Sequence, residues 1–66
     1  MTVIINGEAR VVAEGSTISE LLRGLGLSAK NVLIERNGEP VGRDTFAGQS
    51  ILPDDRIEII NMVAGG

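Results

Sequence analysis

The sequence predicts an α+β fold in which a mixed sheet of about four to five strands packs one helix on one face. Three features lead to this prediction: an Asn-Gly pair between two β-branched runs, one segment with helical spacing of apolar residues, and two later strand-like runs. The chain has 66 residues, which allows one hydrophobic core near the lower size limit for folding without disulfides or metals. We therefore expect a single domain over residues 1–66.

The first element is a predicted β-hairpin. Two runs rich in β-branched residues, 2–5 and 9–13, flank the pair Asn6-Gly7. Asn and Gly both tolerate the positive φ that a two-residue hairpin turn needs, so this pair is a strong hairpin signal. With these two residues as the loop, Ile4 pairs with Ala9 across the hairpin.

The second element is a short helix that begins near Thr17. Thr17 and Glu20 have the spacing of a capping box, in which the Thr hydroxyl accepts from the Glu amide and the Glu carboxylate accepts from the Thr amide. The apolar residues of this segment recur at helical spacing and form one stripe: Ile18, Leu21, Leu22 and Leu25. Gly24 and Gly26 weaken and then end the helix, which we expect to run for about two or three turns.

The rest of the chain alternates strands and turns. Its predicted elements are a strand at 31–36, a turn at Asn37-Gly38, an extended piece at 40–41, an irregular segment at 42–48, a turn at 52–55 and a final strand at 56–63. Phe46, the only aromatic residue, is expected to fill the space under the irregular segment. The right-handed crossover rule places the final strand beside the first and parallel to it, with the helix on one face. This order of elements is the β-grasp arrangement of ubiquitin-like proteins.

Both the first hairpin and the final strand carry apolar residues on both faces. In the predicted pairing, Val3 and Ile5 lie on the face opposite to Ile4. In the final strand, Ile60 and Met62 likewise alternate with other apolar residues. Two alternatives follow: the hairpin has another register, or the face away from the helix is partly apolar and contacts another protein. The second alternative predicts a partner surface that contains Ile60, Met62, Val3 and Ile5.

Groups that could perform catalysis are scarce. The chain has no Cys and no His, which removes the usual nucleophile, the usual general base and most transition-metal ligands. The Ser and Thr hydroxyls lack an activating base, and Asp54-Asp55 lie in a predicted turn where solvation or local capping explains them. We therefore predict that the chain is not an enzyme and that it binds no metal or cofactor itself.

Charge and hydropathy also limit the partners that we expect. The net charge is −3, and the six basic residues are scattered singly, so the chain offers no basic stripe for a phosphate backbone. Apolar runs such as Val32-Leu33-Ile34 are far shorter than the roughly 20 residues that cross a bilayer. Met1 leads directly into strand-like sequence without a signal-peptide pattern. We expect a cytoplasmic protein that binds neither nucleic acid nor membrane.

The last residues, Val63-Ala64-Gly65-Gly66, are expected to form a flexible tail on the single domain. With glycine at about 7% of average usage, a terminal Gly-Gly pair has a chance of roughly 0.5%. Two residues without Cβ form a thread that can enter a narrow active-site channel. The group at its tip is the carboxylate of Gly66, which is ionised at neutral pH and a poor electrophile. A reaction at this carboxylate therefore needs prior activation.

Several short motifs together resemble one known family. They are Ile5-Asn6-Gly7, Gly15-Ser16-Thr17-Ile18, Leu21-Leu22, Glu35-Arg36-Asn37-Gly38, Arg56-Ile57-Glu58-Ile59 and Val63-Ala64-Gly65-Gly66. In these motifs the chain resembles the ThiS family, the sulfur carrier proteins of thiamine biosynthesis, over essentially its whole length. The terminal motif is the most specific of them. One departure is Asp54, where many members of the family have Gly in an Asp-Gly-Asp turn.

The resemblance implies a reaction at Gly66. An adenylyltransferase similar to ubiquitin-activating enzymes would use ATP and Mg to convert the Gly66 carboxylate to an acyl-adenylate. Sulfur from a cysteine desulfurase or a rhodanese-type donor would then displace AMP and leave a thiocarboxylate. Thiazole synthase would take up that sulfur for the thiazole ring. The resemblance further implies that Gly65, Ala64 and Val63 are recognised by these partners as the tail enters their active sites.

Other functions remain open from the sequence. The nearest alternative is the small subunit of molybdopterin synthase, which also has a β-grasp fold and a terminal Gly-Gly thiocarboxylate but is usually longer. Sulfur carriers for cysteine synthesis or tRNA thiolation are further alternatives. A protein modifier would join Gly66 to a lysine amine of another protein. A plain interaction module would function without the tail.

Overall fold

A five-stranded mixed sheet with one α-helix on one face forms the part of the chain that the structure, a computed structural model, describes: residues 1–62. The strands are β1 (Thr2–Ile5), β2 (Glu8–Val11), β3 (Val32–Arg36), β4 (Glu39–Val41) and β5 (Arg56–Asn61), and the helix is α1 (Ile18–Gly24). Their order in the sheet is β2-β1-β5-β3-β4. Only β1 and β5, among the strand pairs of these residues, run parallel. The predicted mixed sheet with one helix is confirmed.

Both Asn-Gly pairs form the tight turns that the sequence predicts. Asn6 and Gly7 have φ values of 50° and 82°, and Asn37 and Gly38 have 52° and 83°, in the left-handed region that such turns require. The first turn pairs Ile4 with Ala9, so the predicted register of the hairpin is confirmed.

The helix α1 begins and ends as its sequence indicates. The Thr17 hydroxyl accepts from the Glu20 amide at 3.2 Å, and a Glu20 carboxylate oxygen accepts from the Thr17 amide at 2.9 Å, which completes the capping box. Beyond Leu25, the residue that caps the other end, Gly26 has a φ of 73°, a conformation that glycine adopts without strain. The apolar stripe of the helix faces the sheet, with Ile18, Leu21 and Leu22 buried.

The return of the chain to the middle of the sheet brings β5 beside β1. The amides of Ile4 and Asn6 donate to the carbonyls of Asp55 and Ile57, each at 2.9 Å. On its other side, β5 pairs antiparallel with β3 along the full length of β3. The predicted parallel return of the last strand is therefore confirmed, and β5 is the central strand.

The structure differs from the sequence prediction at several element ends. Residues Ala29–Asn31 form a short 3-10 helix, and Ser28 caps it by accepting from the Lys30 amide. This turn takes Asn31 out of the predicted strand at 31–36. The extended piece after Asn37-Gly38 includes Glu39, and part of the segment predicted as irregular is a second 3-10 helix, Arg43–Thr45. Phe46 is buried in the core, as predicted.

The prediction that Val3 and Ile5 contribute to a partner surface is wrong. Both side chains are buried, with exposed fractions of 0% and 4%. They point toward α1, because the side chains of β1 alternate and the helix covers the face that carries these two residues. The buried apolar residues are Val3, Ile5, Ile18, Leu21, Leu22, Val32, Ile34, Phe46, Ile51 and Ile57. The outer face is instead the one that carries Thr2 and Ile4.

Candidate functional site

Three exposed apolar side chains cluster on the outer face of the sheet, the face away from α1. Leu33 on β3 lies directly opposite Ile60 on β5, and Met62 is the next residue of the chain on the same face as Ile60. The exposed fractions of Leu33, Ile60 and Met62 are 50%, 47% and 47%. We call these three residues the outer patch. Because the three side chains lie together on one face, the outer patch is a candidate for a surface that contacts another protein.

The prediction that Ile60 and Met62 belong to a partner surface remains a prediction, and the structure shows both to be accessible. Leu33 was not among the predicted residues. The uninterrupted apolar run Val32-Leu33-Ile34 could have indicated that one of these side chains is exposed, because successive side chains of a strand point to opposite faces. Val32 and Ile34 are buried, so Leu33 must face outward.

Two carboxylates border the outer patch. Glu35 on β3 and Glu58 on β5 are both exposed and lie directly opposite each other. They form the next pair on the same face of the sheet after Leu33 and Ile60. Like charges at directly opposed positions of a sheet destabilise it slightly. The pair therefore does not serve the fold. Arg56 on β5 shares this face, but the two carboxylates outnumber it and leave a net negative charge beside the outer patch that would attract a basic partner.

The outer patch adjoins the point where the described chain ends. The amide of Met62 donates to the Asn31 carbonyl at 2.7 Å, which extends the hydrogen bonding between the two segments beyond β5. The backbone of Met62 is therefore fixed beside Asn31, on the side of β5 that faces β3. The predicted tail residues Val63, Ala64, Gly65 and Gly66 follow at once in the sequence and lie outside the described residues.

A buried carboxylate lies at the opposite end of β5. Asp55 accepts from the Leu52 amide at 2.8 Å, from Asn37 Nδ2 at 3.0 Å and from Arg36 at 2.8 Å. Burial raises the pKa of Asp55, but the hydrogen bonds from Leu52 and Asn37 and the Arg36 charge together outweigh it and hold the pKa below its usual value. Its oxygens are thus engaged in local capping.

The described residues contain no cluster of three or more acidic, His or Cys side chains that could hold a metal ion. No helix between residues 1 and 62 is long and apolar enough to cross a membrane.

Fold and site together define a class of protein. A mixed sheet with a central parallel pair and a single crossing helix is the β-grasp fold, and its last strand leads past an exposed apolar patch into a Gly-Gly sequence. The molecule is a ubiquitin-like protein. Within this class, the model of the ThiS family matches residues 3–66, and the chain belongs to that family.

Individual relatives agree with this membership. A crystal structure of a thiamine biosynthesis protein (ThiS) from Geobacter metallireducens superposes with a TM-score of 0.84 at 32% identity, covering 100% of both chains. The sulfur carrier protein ThiS of Bacillus subtilis is 38% identical over 50 residues, 76% of each chain.

A relative of a different kind is a thiazole synthase from Magnetococcus marinus, which is 36% identical over all 66 residues. The chain spans only 20% of the length of that protein. A segment similar to the whole of this chain is therefore part of a much longer polypeptide in that relative.

Proposed function

We propose that the chain is a sulfur carrier of thiamine biosynthesis, which presents the carboxylate of Gly66 for activation and sulfur transfer. The observation that carries this proposal is the family match, which includes the Gly-Gly end. Two relatives support the proposal: the solved protein from G. metallireducens is described as a thiamine biosynthesis protein, and the one from B. subtilis as a sulfur carrier protein. The chain is then a co-substrate of its partner enzymes, and its fold serves as the part that they bind.

The proposed chemistry begins with activation of Gly66. In the partner adenylating enzyme, which uses ATP and Mg, a carboxylate oxygen attacks the α-phosphorus of ATP and releases pyrophosphate. A persulfide of a cysteine desulfurase or rhodanese-type donor then attacks the acyl carbon and displaces AMP. Reduction of the resulting S–S bond by a thiol leaves a thiocarboxylate on Gly66. The chain supplies the carboxylate and the thread formed by Val63, Ala64 and Gly65. We place these steps in the cytoplasm, where ATP is abundant.

The proposed acceptor of the sulfur is a thiazole synthase. This assignment is supported by the relative from M. marinus, whose name is thiazole synthase and which contains a segment similar to this chain. The outer patch is the proposed docking surface for these partners, because it is exposed, apolar and adjacent to the tail. The carboxylates of Glu35 and Glu58 would attract basic residues at the edge of that contact.

The proposal is tested by ATP-dependent pyrophosphate release with a purified adenylating enzyme of thiamine biosynthesis. We expect Gly66→Ala to slow the reaction because its methyl group must enter a channel that fits glycine, with folding and partner binding unchanged. Gly24→Ala is a matched control, since Gly24 lies in α1 and an added Cβ would meet no atom within 4 Å apart from its chain neighbours and the backbone of the helix itself. Normal turnover of Gly66→Ala would refute the role of the glycine thread. No pyrophosphate release from the wild-type chain would refute the carrier function itself.

A further inference from the structure

The first residue of the Asn6-Gly7 turn makes contacts that the turn does not require. Asn6 has a φ of 50°, which Asn tolerates in a tight turn. Its side chain also reaches across to β5. Its Oδ1 accepts from the Ile59 amide at 2.7 Å, and its Nδ2 donates to the Ile59 carbonyl at 3.3 Å. The side-chain amide of Asn6 thus binds both backbone polar groups of Ile59.

These contacts continue the parallel ladder past the point where β1 ends. The last backbone bond of that ladder is from the Asn6 amide to the Ile57 carbonyl at 2.9 Å. If β1 remained extended, the Asn6 carbonyl would accept the next bond, from the Ile59 amide. The chain turns away at Asn6 instead, and its side-chain oxygen takes the place of that carbonyl.

The contact between Asn6 and Ile59 holds β5 near its C-terminal end, because of where Ile59 lies in the strand. Ile59 lies in the second half of β5 and is followed by Ile60 and Met62 of the outer patch. On the β3 side, the Met62 amide donates to the Asn31 carbonyl. The strand is therefore held from both sides shortly before the tail begins, by Asn6 on one side and Asn31 on the other.

We propose that Asn6 is a positioning residue for the reaction at Gly66. By holding Ile59 against β1, it fixes the position of the end of β5, from which residues 63–66 follow in the sequence, and thereby helps to present the Gly66 carboxylate to the adenylating enzyme. This inference rests on the proposed function, because it concerns the same reaction. Asn6 touches no reacting atom and acts through β5. Its loss lowers the fraction of docked complexes in which the carboxylate is correctly placed.

The second Asn-Gly turn provides a matched control. Asn37 has a φ of 52°, and its Oδ1 accepts from the amide of Arg56 at 2.9 Å. Arg56 is the first residue of β5, at the end remote from the tail. Asn6→Gly and Asn37→Gly each keep a residue that favours positive φ and remove a side-chain contact to β5, but at opposite ends of the strand. Because Asn37 also donates to Asp55, its loss should reduce stability at least as much.

The experiment measures adenylation of the full chain by a purified adenylating enzyme of thiamine biosynthesis, at a temperature where circular dichroism shows both variants folded. We expect Asn6→Gly to lower kcat by about three- to tenfold, with little change in KM. This range corresponds to the net contribution of about one hydrogen bond, because the contact at 3.3 Å is the weaker of the two that are lost. Asn37→Gly should leave both constants near the wild-type values. Hydrogen exchange of the Ile59 amide should be faster in Asn6→Gly and unchanged in Asn37→Gly.

Asn6→Asp separates the two contacts, because it keeps an acceptor for the Ile59 amide and loses the donor to the Ile59 carbonyl. We expect its kcat to lie between those of the wild type and Asn6→Gly. Equal losses of kcat in Asn6→Gly and Asn37→Gly would overturn the proposal, since stability alone would then explain them. An unchanged kcat in Asn6→Gly would overturn it as well. Failure of the wild-type chain to be adenylated would overturn the proposed function together with this inference.

Discussion

At the scale of single residues, Asp54 has a backbone conformation that side chains with a Cβ rarely adopt. Its φ is 67°, in the left-handed region where Gly is unstrained and Asp is tolerated. Many members of the ThiS family have Gly at the corresponding position of this turn. The turn therefore has the conformation that suits Gly, and Asp54 preserves it with some strain.

This strain predicts opposite results for two substitutions. Asp54→Ala should lower the free energy of unfolding by about 1 kcal/mol, because Ala lacks the short polar side chain that makes the left-handed conformation tolerable. Asp54→Gly should leave the free energy unchanged or raise it. Urea unfolding measures both. Equal stability of the Ala and Gly variants would contradict this interpretation of the turn.

Asp55, the next residue, carries a prediction about pH. Asp55→Asn places an amide donor where three donors converge on the carboxylate. We expect it to lower the free energy of unfolding by about 3 kcal/mol at neutral pH, as for a broken buried ion pair. The pKa of Asp55 is lower in the folded protein than in the unfolded chain. The ionised carboxylate therefore stabilises the folded state fully above the unfolded pKa of about 3.9, and this stabilisation is lost as the pH falls toward the folded pKa.

Urea unfolding at pH 7 and at acidic pH tests this prediction. The stability difference between wild type and Asp55→Asn should shrink as the medium becomes acidic. Asp54→Asn is the control, because Asp54 is exposed and Asn also tolerates positive φ. A difference that stays constant from pH 7 through the acidic range would show that the ionised carboxylate is not what stabilises the fold.

At the scale of elements, β3 and β5 together form the outer patch, and its role in docking can be separated from stability. Ile60→Thr keeps a β-branched side chain suited to a strand and removes apolar area. We expect it to weaken binding to the adenylating enzyme by about tenfold, which corresponds to the loss of one or two buried methyl or methylene groups.

Val11→Thr is the matched control for that variant. Val11 lies on β2, on the same face of the sheet, and is 83% exposed, but it is separated from the outer patch by β1. Isothermal titration calorimetry should show unchanged affinity for Val11→Thr. Equal losses of affinity in the two variants would contradict the assignment of docking to the outer patch.

The elements also show which parts of the fold the sequence could predict. Both Asn-Gly turns and the capping box of α1 depend on neighbouring residues alone, so local patterns were sufficient to predict them. The face of β1 that meets the helix depends on packing. Alternation separates Val3 and Ile5 from Ile4, but it does not say which side α1 covers.

Some residues of the candidate site could likewise be predicted from the sequence, and others could not. The tail and its Gly66 carboxylate could be inferred from composition and resemblance, and Ile60 and Met62 from the excess of apolar residues in the last strand. Leu33 and the acidic pair are brought beside them by the pairing of β3 with β5. The contact of Asn6 with Ile59 joins residues separated by 53 positions, and no local pattern indicates it.

At the scale of the whole molecule, charge should govern how fast the protein meets its partners. The net charge is −3, and Glu35 and Glu58 concentrate negative charge beside the outer patch. If the partners present basic residues there, association should slow as the salt concentration rises. Stopped-flow measurements between low and physiological ionic strength test this, and a rate that does not depend on salt would remove the electrostatic contribution.

Glu58→Gln separates association from stability. It removes one of two opposed like charges, so stability should rise slightly, while association with the adenylating enzyme should become slower and less dependent on salt. Glu14→Gln changes the net charge equally at an exposed turn residue before α1 and should affect the rate less. Equal effects of the two variants would mean that net charge alone, without the placement of Glu58, controls association.

Sulfur carriage by Gly66 would change the intact mass of the protein, which we would measure on protein isolated from cells growing without thiamine. Gentle, non-reducing isolation preserves the modification, and fragmentation localises it. We expect a fraction of the molecules to have one oxygen replaced by sulfur, on the C-terminal peptide that contains Gly66. A Gly66 carboxylate that is unmodified in every molecule, or that is found in an amide bond to a lysine of another protein, would contradict sulfur carriage.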